Sequence, residues 1–312
     1  SNGSSNDFYS CDWDNNGYRV LAGDGNSNFY VYYYNPNTNS LFLIDSDTIS
    51  GAIYNVSVSP NSKYLASGSG VTDQALRIND FQQNYLLLDN TNLVFNSDSE
   101  FIVTTTFSGL CTINGNGHKV YLNEDGTLNV DSGSILKLQN LELVNLKQNN
   151  LQCLADDAQI IFEDCILTIT SNYAFERGSV LFKGDVVISG TSKFTYASSW
   201  TSTIDTFSTL KVNPSSTFSY APSVAKRDLI YMEDNTSSLY LNNCTLHSTT
   251  AGLRLTRGKL FIENLVTLNA DGTSVPESIC FGNGTAVDDL DISILAHADL
   301  EVYGTLEYKN TD

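Results

Sequence analysis

Apolar and polar residues alternate along most of this chain, and the alternation breaks at a recurring place. In SLYLNNCTLHS (238–248), Leu239 and Leu241 are apolar, Asn242 and Asn243 interrupt, and Cys244 and Leu246 resume the pattern. IIFEDCILTIT (160–170), ILKLQNLELVN (135–145) and LFIENLVTLNA (260–270) repeat the phrase. Alternation at period two predicts strands with one buried face. The second inward residue of each copy falls at Leu138, Phe162, Phe182, Val212, Leu241, Ile262 and Val302. These positions recur every 20–40 residues or so, a period that belongs to solenoids. The spacing predicts a coil of parallel strands in which equivalent residues stack from turn to turn. Asn140, Asp164, Asn243 and Asn264 then share one corner, with Gly184 and Gly304 in the same place. Asn tolerates the left-handed backbone a corner asks for, and Gly meets it without a side chain. The next residue, at Leu141, Cys165, Cys244 and Leu265, is expected to point inward. Cysteine there substitutes for leucine as a packing residue.

The first eighty residues keep another period. CDWDNNGYRVLAG (11–23) aligns with VSVSPNSKYLASG (56–68) at an offset of about 45 residues, so Trp13 falls on Val58, Val20 on Leu65 and Gly23 on Gly68. Between them NFYVYYYNPNTNSLFLID (28–45) predicts a hairpin with its turn at Asn35–Asn39. The expected division is a blade-like segment at 1–82 and a coil at 83–312, joined without a Pro/Gly linker.

Two resemblances follow from these residues. TINGNGHKVYL (112–122) and GTLNVDSGSILKLQNLEL (126–143) resemble the opening turns of the right-handed parallel β-helix of the pectin-lyase-like superfamily. The repeat at 11–23 and 56–68 is similar to Trp-Asp-repeat propeller blades, although two copies cannot close a ring. The fold class implied is all-β, a parallel β-helix preceded by an antiparallel, propeller-blade-like segment. The pairing of the two repeat types resembles large bacterial surface proteins. The β-helix fold alone implies no activity, since it carries lyases, hydrolases, adhesins and inert fibres.

Composition agrees with strands and turns: charged residues are 16% of the 312, and there are 17 Tyr, 15 Phe and one Met. The net charge of −19 argues against nucleic acid or anionic lipid as partner, because both are bound by Lys and Arg that displace counterions. No apolar run approaches the 20 or so residues of a membrane span. An extracellular or surface setting is expected. The six cysteines lie far apart without a C-x-x-C pair, which argues against a zinc site; buried free thiols are expected for most of them, with one or two disulfides of unassigned pairing as the alternative.

Candidate chemistry is thin. Asp156-Asp157, Glu163-Asp164 and Asp288-Asp289-Asp291 could offer calcium ligands, but calcium wants six to eight oxygens converging on one point. The lyases this coil resembles add an Arg or Lys base, yet Arg177, Arg227, Arg254 and Arg257 sit near turns without a recognisable frame. The hydrolases it resembles place a Gly-His after their aspartates, whereas Gly117-His118 precedes Asp156, and Arg257-Gly258-Lys259 lies several turns further on. Asp12-x-Asp14-x-Asn16-Gly17 begins like a calcium loop but has Gly23 where the twelfth-position Glu belongs. His118, His247 and His297 show no metal or nucleophile spacing. Neither catalysis nor a cofactor is expected.

What remains is an edge. The alternation of Leu300, Val302, Leu306 and Tyr308 runs on toward residue 312 with no capping pattern after it, and an uncapped solenoid rung pairs with a neighbour. The expectation is a structural protein that stacks head to tail into a fibre or sheath, its partner being itself. A second expectation is carbohydrate binding or cleavage on the long face of the coil, to be recognised by a groove with converging carboxylates and an Arg or Lys; in the hairpin, Tyr30, Tyr32 and Tyr34 could stack on sugars or serve as core. A third is a fragment of a larger adhesin.

Overall fold

A computed structural model describes residues 7–13, 19–35, 40–48, 52–58, 64–69, 76–80, 85–101, 104–123, 126–249, 251–272, 277–285 and 290–309. Among them are strands and turns and no α-helix. The chain divides into two compact units, Ser1–Leu86 and Leu87–Asp312.

The first unit holds two antiparallel meanders. Phe8–Trp13, Arg19–Asp24, Asn28–Asn35 and Ser40–Thr48 form one sheet, and Ile53–Val58, Tyr64–Ser69 and Leu76–Asp80 the other. The first two strands of each sheet start and stop at equivalent positions of the sequence repeat. Leu21, Phe29 and Val31 pack on Ile53 and Val56. Gly23 permits that approach: a Cβ there would lie 2.4 Å from Ile53 Cγ2. The Asp12 carboxylate accepts hydrogen bonds from Ser57 Oγ (3.1 Å) and Val58 N (2.9 Å), so it joins the two meanders. Asp14, Asn16 and Gly17 of the calcium-loop pattern lie outside the described residues, as do Asp288 and Asp289 and most of the hairpin turn at 35–39.

Asp24 organises the turn after its strand. Its buried carboxylate accepts from Asn26 N (2.9 Å), Asn28 N (2.8 Å), Asn28 Nδ2 (2.9 Å) and the Tyr30 hydroxyl (3.1 Å). Burial alone would raise its pKa. The bonds from Asn28, Asn26 and Tyr30 outweigh that and hold the carboxyl below its usual value. A carboxyl whose folded pKa lies below its unfolded one adds stability above about pH 4 that is lost as pH falls. Asp24→Ala is expected to cost about 1.5–3 kcal/mol at neutral pH and to flatten the acid limb of this unit's stability curve. Urea midpoints measured from pH 3 to 7 check it; an unchanged acid limb contradicts it.

The second unit is a parallel β-solenoid whose turns each lay down three strands. The chain passes Leu110–Asn114, Lys119–Leu122 and Thr127–Val130, then repeats one rung further on. There Ile135–Leu146 bends to serve the first two faces, and Leu151–Cys153 serves the third. Among the described residues the registered strand pairs of this unit run parallel, and the largest sheet has 14 strands. On the first face Ile113, Leu138, Phe162, Phe182, Ile204 and Met232 stack in register. On the second, Leu143, Leu167, Ile188, Val212, Leu241 and Ile262 do the same. All twelve are buried, and each such side chain contributes roughly 1.5–3 kcal/mol by leaving water.

The register differs from the sequence expectation in an instructive way. Leu138, Phe162 and Phe182 occupy the first face, Val212, Leu241 and Ile262 the second, and Val302 the third, where it pairs with Leu268. The expected single column is therefore three. Every face uses the same alternation, so the pattern marks inward positions without saying which wall they belong to.

The third face carries two aromatic ladders. Tyr173, Phe194 and Phe218 follow each other at 5.4 and 5.5 Å between ring centroids, and Phe175, Tyr196 and Tyr220 at 6.1 and 6.0 Å. Each buried hydroxyl is satisfied, which a buried phenol requires. Tyr173 donates to Leu151 O (2.8 Å) and Tyr196 to Trp200 O, while Tyr220 donates to Lys226 O (2.6 Å) and accepts from Leu229 N (3.1 Å). The last two fasten the loops that leave this face.

Candidate functional site

The four polar corner residues all adopt left-handed backbone: φ is 51° at Asn140, 53° at Asp164, 46° at Asn243 and 54° at Asn264. They stand at two corners. Asn140 and Asp164 separate the first and second faces and are followed there by Gly184, whose amide neighbour Asp185 N donates to Asp164 Oδ1 at 3.0 Å. Asn243 and Asn264 separate the second and third faces, and Asn264 Nδ2 bonds Asn242 Oδ1 (2.9 Å). Gly304 lies at the third corner, between the strands Asp299–Tyr303 and Leu306–Tyr308.

Leu141 and Cys165 are buried in register on the second face, and Cys244 is buried at the start of the third. Leu265 differs from expectation: it is 43% exposed. Before the corner Leu241 pairs with Ile262, and after it Thr245 pairs with Thr267. The later rung thus holds one residue more in its corner, Leu265 is that residue, and buried Val266 takes the inward place. Burial pushes the Cys165 and Cys244 thiols up to about 12, which leaves them protonated and unreactive at neutral pH. Five of the six cysteines are buried, Cys11 is exposed, and all are free.

The last described rung is open. Ile294, Val302 and Tyr308 continue the columns of Ile262, Leu268 and Phe281, yet are 57%, 43% and 63% exposed where their predecessors are buried. Leu300 and Leu306 in the same rung are half-buried. At the other end of the coil, Leu93 and Phe101 are buried. Beside the open rung lies a cleft of about 720 Å³ lined by Asn235, Thr236, Gly258, Lys259, Leu290, Asp291, Ile292 and Tyr308.

The polar groups singled out from sequence are dispersed. Asp157 accepts from Ser132 Oγ (3.0 Å) and, like Asp156, is exposed at a turn. Glu163 is held between Lys137 (2.9 Å) and Lys183 (3.3 Å); burial would raise its pKa, but the two ammonium groups bring it down. His118 faces Asp98 at 3.7 Å, and Arg257 donates to Glu233 O (2.8 Å) while lying over the Tyr231 ring. No group of three or more metal-ligating side chains converges among the described residues. Tyr30 and Tyr32 stack on one another in the first unit and are half-buried, as is Tyr34.

Three features escaped the sequence reading. Ser219 Oγ lies 2.7 Å from His247 Nδ1, and His247 Nε2 lies 2.9 Å from Asp271 Oδ2. They come from successive rungs, so only a known register could have revealed them. Ser219 is buried in mid-strand, so the trio bridges rungs rather than presenting a nucleophile. Arg227 reaches 51 and 80 residues ahead to Ser278 and Glu307. Phe207 is 83% exposed with φ of 54°, a conformation that costs an aromatic residue roughly 1–2 kcal/mol. Phe207→Asn is expected to stabilise the coil by about 1 kcal/mol, visible as a higher melting temperature; a fall would mean the ring packs on something.

No protein-family model matches the sequence, and no curated protein matches it either.

Proposed function

We propose that the protein is a structural module, set at a surface or outside the cell, that associates with copies of itself through the rung that carries Ile294, Val302 and Tyr308. The observation behind the reading is the exposure of Ile294, Val302 and Tyr308 at the head of columns that are otherwise dry. Unpaired strand edges above an apolar core are templates for further pairing. The partner in this reading is the same rung of a second copy, in which Ile294, Val302 and Tyr308 of the two copies would cover one another. Contact between like ends is isologous and closes at two, which favours a dimer over a head-to-tail fibre.

Sedimentation velocity over a concentration series tests this. Wild type is expected to pass from monomer to dimer, and Ile294→Lys with Val302→Lys to stay monomeric with an unchanged melting temperature. A wild type that remains monomeric throughout overturns the reading.

A second reading, carbohydrate binding, draws on Tyr240 and Phe261. Their rings sit 5.7 Å apart on the outer side of the second face, half-buried, beside Lys211 and Lys259. Aromatic faces of this kind stack on apolar sugar faces. Affinity electrophoresis in neutral and acidic polysaccharide gels, with Tyr240→Ala as control, decides it; equal mobility in every gel ends it.

A further inference from the structure

The third wall of the coil is broken between two rungs, and the break holds a cleft. Leu151–Cys153 pairs backward with Thr127–Val130, and Tyr173–Phe175 pairs forward with Lys193–Tyr196, yet no ladder joins the two. The first and second faces run on unbroken past the same rungs. Side chains bridge part of the gap. The Tyr173 hydroxyl donates to Leu151 O (2.8 Å), while Gln148 accepts from Ala174 N (2.7 Å) and donates to Glu176 Oε1 (3.2 Å). What they leave is a cleft of about 220 Å³, whose lining includes Gln148, Gln152, Cys153, Leu154, Glu176 and Arg177. Sites for drug-sized molecules run to roughly 300–1,000 Å³, so the ligand this one suits is small.

Its charges narrow the choice further. Glu176 and Arg177 are exposed residues that both line the cleft, and neither forms an ion pair among the described residues. Each is held by the wall instead: Glu176 by Gln148, and Arg177 by donation from Nη1 to Leu154 O (3.1 Å). A guanidinium has five N–H donors and a carboxylate two oxygens, so both keep capacity for a ligand. The rest of the lining is uncharged. Burial pushes the Cys153 thiol up to about 12, and Leu154, 40% exposed, offers apolar surface beside Arg177.

We propose that this cleft binds a free α-amino acid with an apolar side chain, its carboxylate on Arg177 and its ammonium on Glu176. Ligands of other charge fit worse. An anion would leave Glu176 unpaired and meet the field of a chain with net charge −19. A cation would leave Arg177 unpaired, and an uncharged sugar would leave both. The zwitterion satisfies both groups and, having no net charge, is not repelled by the surrounding surface. Leu154 and Ala174 take its side chain. Gln152, whose Nε2 donates to Asn129 Oδ1 (3.0 Å), keeps its amide oxygen for the ammonium.

Heteronuclear NMR titration of the full chain with L-leucine, reading the amides of Cys153, Ala174 and Gly178, tests the proposal. Saturable shifts centred on these amides are expected. Leucinamide lacks the carboxylate and N-acetyl-leucine the ammonium, so each should bind about tenfold more weakly. Arg177→Gln should weaken L-leucine by about tenfold yet bind leucinamide as wild type does. Glu176→Gln should behave in the same way toward N-acetyl-leucine. That pattern pairs each charge with its residue, which a general loss of structure cannot imitate. The absence of a saturable shift with L-leucine overturns the proposal, as does equal binding of the three compounds. Variants that weaken all three alike also overturn it, because the two residues would then only shape the cleft.

Discussion

Phe194→Ala is expected to lower the stability of the solenoid by about 3–5 kcal/mol, measured as a shift of the urea midpoint. The Phe194 ring is fully buried and sits between Tyr173 and Phe218 in the third-face ladder, so truncation opens a void with aromatic walls on two rungs. Parallel rungs cannot close over such a void, because each backbone is fixed to its neighbours at both edges. Phe261→Ala provides the contrast. Its ring meets Tyr240 on the outer surface, where loss of a half-exposed pair costs about 0.5–1.5 kcal/mol. A loss below 1 kcal/mol for Phe194→Ala, or equal losses for both, would show that the ladders do not carry the stability of the coil.

The second large effect is expected at a corner. Gly190 adopts φ of 108°, and a Cβ there would meet Ile169 O at 2.2 Å. That oxygen belongs to the backbone of the previous rung and cannot rotate aside. Gly190→Ala must distort the rung as well as occupy a backbone region costly for any L side chain, so a destabilisation of about 2–3 kcal/mol is expected. Gly184→Ala is the matched test. Its Cβ would meet the Asp164 carboxylate, at the far end of a side chain that can turn away. Denaturation midpoints should place Gly184→Ala near 1 kcal/mol and Gly190→Ala clearly beyond it. The reverse order would mean that the Asp164 to Asp185 bond matters more than backbone contact.

The sequence announced the architecture because alternation and a corner residue are local signals. Leu138 and Phe162 could be aligned by eye, and the polar pairs at Asn140 and Asp164 fall where the chain bends. The assignment of positions to walls was not legible, since Phe182 and Val212 belong to different faces yet sit in identical local patterns. Leu265 was misread for a related reason: its phrase matches that of Cys244, and only the pairing across the corner shows the added residue. The polar assemblies were out of reach altogether. Ser219, His247 and Asp271, like Arg227 and Glu307, are neighbours solely through the stacking of rungs, and no spacing along the chain encodes them. The meanders of the first unit were visible through the repeat that places Phe8–Trp13 and Ile53–Val58 at equivalent positions.

The added residue at Asn264–Leu265 has a consequence for how such a chain can change length. Inside a strand, one inserted residue would turn every later side chain of that wall inside out. At this bend it is absorbed by letting a single leucine stand in solvent, and the walls on either side stay in phase. Insertions and deletions should therefore accumulate at the bends, where natural variation or library selection can alter outline and surface while the interior remains unaware of the edit.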